Sequence, residues 1–472
     1  MKLNIRSYSL FFFLISSFVF LFYNVKVSLI YFFVFLAYIF FDNIPINNPI
    51  VKRGYVVVLF AFLISYFVRG IILSIFPEFF MFAFFTDYYP NRLDIITSLF
   101  DVFIFFTIFS IGFMLSYYSL KKIINIVEFK FSFAKRSWPL LYFNSLTYIF
   151  FTLIFIKLIL YIIFNAGVKG EEVSTPLVFL LRFIPEDLIF IYAVLLYVKY
   201  PDFAKKNWIR IISLVGLMSL SILLTGSKLF ILLLLFCFII VSILFNYKFN
   251  VFKFLKLSIS IFIILVISFA VSAVIKFQNP SNLFDFVVYV SDYIDSNNFI
   301  IILDSISSRF IGLDGYILSK NFVTNGVDEV MSDVYGLQQT LVRVVDYIIP
   351  FGKFTDSIGT GKAVSVYVFG FDMDHLFGGA LGVFGSLLIG NSTFVEFAVF
   401  GYGIFISFIY LLLSRIFDDD LKIIFFYIFS YFLIHSFMSG NFDRLIGLLI
   451  IKIVLTIVYI YISFILTKVK LN

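Results

Sequence analysis

The chain has 472 residues, of which 62% are hydrophobic and 13% charged. Soluble domains carry about 25% charged residues, so this balance excludes a soluble globular protein and leaves an integral membrane protein. The net charge of +7 is not a nucleic-acid signal, because most lysines and arginines lie in short loops between apolar runs, where they set membrane orientation.

The 72 Phe residues, with the bias to Ile, Asn and Lys, reflect base composition rather than function. Cys237 is the only cysteine, so neither an internal disulfide nor a cysteine-based metal site can form. With only His375 and His435 in the chain, no structural zinc site is expected. Neither a metal nor a cofactor is expected.

About 20 apolar residues cross the hydrocarbon core as a helix. On that basis spans are predicted at 8–23, 27–41, 55–76, 94–117, 141–164, 177–198, 211–225, 229–246, 257–275, 394–414, 422–437 and 445–467. An additional one arises if the apolar stretch at Leu376–Ile389 is embedded. Met1–Tyr23 has a charged start and an apolar run but no small-residue cleavage site, so it reads as the first helix and not as a signal peptide. No GxxxxGK[ST] phosphate loop is present.

The expected fold is an all-α polytopic membrane protein of about twelve spans, with residues 1–275 carrying the first nine. Residues 276–393 form a large helix-containing extracytoplasmic loop, and residues 394–472 carry the last three spans. Placing the N-terminus in the cytoplasm collects Lys2, Arg6, Lys52, Arg53, Lys121 to Arg136, Lys199 to Arg210, Lys248 to Lys256, Arg415, Lys422, Lys468 and Lys470 on the inner side. The positive-inside rule then puts both termini inside and the large loop outside.

Charges within spans are costly and mark function by default. Arg69 lies in the outer half of the third span, and Arg182, Glu186 and Asp187 lie in the outer half of the sixth. Lys228 sits in the turn Thr225-Gly226-Ser227-Lys228, and Asp443 and Arg444 close the last external turn, with His435 shortly before them. With Arg309, Arg343 and His375 from the loop, these residues are candidates for one outward-facing basic pocket. Plainer readings stand beside them. Arg182 and Glu186 have the spacing of a helical ion pair, Lys228 and Arg444 can snorkel to the interface, and Arg69 calls for a buried partner or a ligand. Lys157 and Lys452 lie within spans without an assigned role.

Within the loop, Phe299–Phe310 is predicted helical and is expected to be broken by Gly312 and Gly315. Val334–Ile349 is a second predicted helix, stopped by Pro350. His375, with Asp372 and Asp374 nearby, has the makings of a base oriented by a carboxylate; an exposed loop histidine is the plainer alternative. Arg309 and Arg343 are the stronger candidates for phosphate, which planar guanidinium groups grip in a bidentate manner.

This pattern resembles the Wzy-type polymerases of O-antigen and capsule repeat units. The likeness rests on the span count with one large late loop, and on Leu224-Thr225-Gly226-Ser227-Lys228, similar to that family's TGSR/TGSK turn. It rests also on Ser308-Arg309-Phe310-Ile311-Gly312-Leu313-Asp314-Gly315. The last element is Gly390-Asn391-Ser392-Thr393-Phe394-Val395-Glu396-Phe397 followed by Phe400-Gly401-Tyr402-Gly403. A spaced arginine–glycine pair of some members is not met: Lys320 stands where the glycine after Arg309 would fall, and Phe354 where that after Arg343 would fall.

The resemblance implies a metal-independent, GT-C-like glycosyltransferase at the outer face of the bacterial inner membrane. The growing glycan on undecaprenyl diphosphate would move onto a fresh lipid-linked repeat unit, with inversion at the anomeric carbon. Arg309, His375, Asp314 and Glu396 are then the catalytic candidates. Lys228, Arg343, Arg182, Arg69 and Arg444 are candidates for holding diphosphate and glycan, and Tyr316, Tyr335 and Tyr367 for offering ring faces to sugars. Implied partners are the lipid-linked oligosaccharide, the bilayer, a chain-length regulator (Wzz-type) and a flippase (Wzx-type). Two rivals remain from the sequence: an O-antigen ligase of similar chemistry, and a lipid-linked oligosaccharide flippase or transporter.

Overall fold

Apolar runs of this length can satisfy their backbone in a bilayer by coiling, because no water is there to do it. The computed structural model describes residues 2–3, 5–22, 24–80, 88–124, 138–164, 186–224, 229–246, 249–250, 263, 283–294, 312–324, 381–390, 394–417, 419–439 and 442–469. The main elements are α1 (Ile5–Leu21), α2 (Val25–Asn43), α3 (Pro49–Ile75), α4 (Arg92–Ile124), α5 (Phe143–Phe164), α6 (Glu186–Lys199) and α7 (Trp208–Leu224). They continue with α8 (Leu229–Leu244), α9 (Leu283–Ile294), α10 (Gly312–Thr324), α11 (Gly382–Gly390), α12 (Val395–Ile416), α13 (Asp419–Ser439) and α14 (Phe442–Val469). Lys2–Leu3 pairs antiparallel with Phe249–Asn250.

Six helices, α2, α3, α4, α12, α13 and α14, are long and apolar enough to cross a membrane. Where their residues are described, the predicted spans are helical; residues 177–185 of the sixth, and all of 257–275 apart from Ile263, lie outside the described residues. The third begins earlier than hydropathy indicates. Asn48 caps it, its side chain accepting from the Ile50 and Val51 N–H groups, and Pro49 occupies the first turn. Hydropathy weighs Lys52 and Arg53 as loop, whereas the cap makes them the first turn of a helix.

Helices α4 and α12 run parallel in close contact. Side chains added at Gly112 or Gly403 would strike the Phe400 and Phe109 carbonyl oxygens of the other helix, and Ser116 Oγ donates to the Ile404 carbonyl at 3.1 Å. Small residues at such crossings let backbones approach, which is how helices associate where the hydrophobic effect is absent.

The loops assigned to one side gather at one end of the bundle. The Asn47 and Asn48 N–H groups donate to the Tyr117 hydroxyl at 3.0 and 3.3 Å, and Asn48 Nδ2 donates to Ser414 Oγ at 2.9 Å. Lys199 pairs with Asp420, and Arg210 donates to Asn144 Oδ1 at 2.9 Å.

At the other end, part of the predicted loop lies inside the bundle. Helix α10 packs on α3, α4, α11 and α13, and α11 packs on α12 and α13. Gly312 and Gly315, expected to interrupt a helix, instead open α10. The physical reason is proximity: a Cβ on Gly315 would collide with the Leu381 backbone, and one on Gly312 would lie 2.9 Å from the Phe437 carbonyl oxygen. Gly382 starts α11 at φ +67, a conformation that glycine adopts without cost. With nine residues, α11 is too short to cross a bilayer. Phe384 plugs it into the core, with ring centroids 5.1 Å from Phe62 and Tyr66 and 5.3 Å from Phe105. The predicted helices 299–310 and 334–349 lie outside the described residues.

Candidate functional site

The polar chemistry at this end starts from an irregularity in α3. Residues Leu63–Val68 form a π-helical turn, a distortion often found at functional sites. Tyr31 caps it by donating to the Phe67 carbonyl at 2.5 Å. Arg69 follows directly and is buried.

Its partner comes from α10. Arg69 Nε donates to Asp314 Oδ2 at 2.7 Å and Nη2 to Oδ1 at 2.8 Å, while Nη2 also donates to the Phe79 carbonyl at 2.6 Å. Both side chains have 0% exposure. Two residues with separate expected roles, one as phosphate ligand and one as base, are thus each other's partner. Both carboxylate oxygens of Asp314 face the guanidinium, so this pair docks the loop helix onto the third span.

A second polar group lies within the next two turns of α10. Lys320 Nζ donates to Asp101 Oδ2 at 2.6 Å, and the Tyr316 hydroxyl donates to the same oxygen at 3.2 Å. Here the side chains stay partly open, 38% exposed for Lys320 and 30% for Asp101. The Tyr316 ring is buried edge-on against Phe105 at 5.7 Å. It is therefore unavailable as a sugar platform, contrary to expectation, and only its hydroxyl takes part.

The heights of these groups agree. Measured from the ends of the predicted spans 55–76, 94–117 and 394–414, Arg69 and Asp101 each lie seven residues in and Glu396 two, at the same end of the bundle. Glu396 is exposed in the first turn of α12, where a negative charge suits the helix dipole.

Arg444 lies in the first turn of α14, its side chain outside the described residues. Arg309, Arg343, His375, Arg182, Lys228, Tyr335 and Tyr367 lie outside them altogether. His435 is half-buried with its ring 6.2 Å from Tyr431, and Lys452 stands 5.0 Å over the same Tyr431 ring. Lys157 is buried in α5. Among the described residues no three His, Cys, Asp or Glu side chains gather as a metal site.

Asp101 and Lys320 were not among the candidates that the sequence offered. A signal was present: Asp101 is an acidic residue within the predicted span 94–117, and charges within spans mark function by default. Outside the spans, burial and the neighbouring Asp94 carboxylate push the Tyr88 phenol up to about 12. At the opposite end, burial and Asp420 push the Tyr200 phenol up to about 12.

No family model, curated protein or solved structure matches this chain. The class defined by the fold is that of a helical protein with several membrane-crossing segments, and its chemistry is read from the residues themselves.

Proposed function

We propose that the chain polymerises undecaprenyl-diphosphate-linked oligosaccharide repeat units at the outer face of a bacterial inner membrane, as a metal-independent, GT-C-like glycosyltransferase. The observation that carries this reading is the packing of α10, which includes Gly312, Asp314 and Gly315 of the motif-bearing loop, against α3 and α4 at the level of Arg69 and Asp101. A loop folded into the bundle at the lipid–water boundary suits a substrate whose anchor stays in the bilayer while its sugar reacts outside.

In the reaction, the acceptor hydroxyl oxygen bonds to the anomeric carbon of the growing glycan. The bond from that carbon to the diphosphate oxygen breaks, and its electron pair leaves with the lipid diphosphate. Charge building on the diphosphate is the main barrier. Without a metal it is met by cations, which act more strongly in a site that excludes water. Arg309, Arg343 and Lys228 take that role in this reading, with Arg182 and Arg444 as further contributors. His375 and Glu396 are candidates for orienting the acceptor. Both termini lie in the cytoplasm, and the partners are a Wzx-type flippase that supplies repeat units and a Wzz-type regulator of chain length.

The test is a gel of surface and lipid-linked glycan from cells lacking this gene. Surface lipid carrying a single repeat unit supports polymerisation. Long polymer stranded on the lipid diphosphate would mean a ligase, and repeat units trapped on the inner face would mean a flippase.

A further inference from the structure

The buried end of the bundle holds two carboxylates in opposite situations. Both oxygens of Asp314 face Arg69, away from solvent. Asp101 is held by one oxygen only: Lys320 and Tyr316 both donate to Oδ2, and no described residue donates to Oδ1. The carboxylate is thus fixed in orientation on a rigid helix through Oδ2, and its side chain stays 30% exposed.

Its surroundings suit a lipid-anchored reactant. Asp101 lies about two turns in from the start of the predicted span 94–117, so a reactant whose lipid stays in the bilayer can reach it. Phe100 and Ile104 beside it on the helix are exposed, forming an apolar flank along which a polyprenyl chain can lie. As a support for the fold, a partly exposed ion pair contributes little. An anchoring role for the pair therefore accounts for little, whereas Arg69 and Asp314 already dock α10.

We infer that Asp101 is the group that takes the proton from the acceptor sugar hydroxyl, with Lys320 and Tyr316 as the positioning residues that aim it. This rests on the polymerase reading. As the acceptor oxygen bonds to the anomeric carbon and the diphosphate oxygen departs with its electron pair, the hydroxyl proton passes to Asp101 Oδ1. It is then released to water, which restores the carboxylate for the next unit. Atoms and charge balance without any oxidant, reductant or metal.

The experiment uses the full-length chain, purified in detergent, with undecaprenyl-diphosphate-linked repeat units extracted from cells lacking the gene as both donor and acceptor. General base catalysis contributes at least about a hundredfold, so D101N is expected to lose at least that much in rate while donor still binds. K320M keeps the carboxylate and is expected to lose far less. The double variant D101N/K320M removes both charges and leaves no stranded ammonium, so it controls for misfolding. It is expected to fold and to be as slow as D101N. A double variant as fast as K320M would overturn the assignment and leave the polymerase reading intact. Failure of the double variant to fold would make the pair structural and overturn it equally. Absence of polymer from the wild-type chain would overturn both.

Discussion

Arg69 and Asp314 meet through two parallel contacts, Nε to Oδ2 at 2.7 Å and Nη2 to Oδ1 at 2.8 Å, across 245 positions of chain. Removing one partner strands a buried charge, which costs about 3–5 kcal/mol. R69A and D314A should each lower the melting temperature of the purified protein sharply. The double variant R69M/D314L, which strands nothing, should lie closer to wild type. R69K should recover little, because an ammonium cannot make the paired contact. Single variants that melt with the wild type would remove this pair from the supports of the fold.

The glycines separate into two groups with opposite expected signs. An added methyl at Gly315 meets the Leu381 backbone, which cannot step aside, so G315A should cost about 1–3 kcal/mol. The same methyl at Gly216 in α7 or Gly401 in α12 would meet nothing within 4 Å. G216A and G401A should be neutral or stabilising by up to about 1 kcal/mol, since alanine is the better helix former. Thermal melts of the three variants in one detergent test the contrast.

Tyr200 predicts an alkaline limb. An unfolded tyrosine titrates near about 10, whereas burial and Asp420 push this one up to about 12. The folded state holds the neutral phenol. The stability it contributes is therefore fully present below pH of about 10 and is lost as pH rises towards 12. Y200F should show a shallower loss of melting temperature across that window. An unchanged slope would assign the alkaline limb to other groups.

Orientation can be read with thiol labelling. Cys237 is buried, so C237S provides a background for single cysteines at Asn250 and Tyr89. A reagent that cannot cross membranes should label the Tyr89 site in intact cells and the Asn250 site only after permeabilisation. The reverse pattern would invert the topology.

Under the proposed function, R309A should abolish polymerisation while the protein still inserts and folds, read as loss of the glycan ladder with normal membrane abundance. R309K should restore little if two parallel contacts to phosphate are needed. Normal polymer length in R309A would take Arg309 out of the site.

Much of the helical pattern was legible because hydropathy acts locally. A run such as Ile95–Tyr117 declares itself residue by residue, whereas edges moved: capping at Asn48 and Pro49 starts α3 early, and α4 runs on to Ile124. The site was legible in its parts and not in its pairings. Arg69 called for a buried partner, but nothing local in the sequence says that Asp314 supplies it, because the contact depends on how α10 enters the bundle. Gly312 and Gly315 misled for a related reason. Glycine lowers helix propensity by about 1 kcal/mol, and the tertiary approach of Leu381 and Phe437 outweighs that. Asp101 was overlooked because it lies inside an apolar span and its worth depends on Lys320 and Tyr316, which come from a distant segment.

The separation of Arg69 from Asp314 also bears on how the protein is made. At about 5–20 residues per second, the ribosome needs on the order of ten seconds or more to travel from one to the other. For that interval the Arg69 guanidinium exists without its carboxylate. The nascent bundle must therefore keep that flank hydrated, or shielded by an insertion factor, until the late segment arrives to close it.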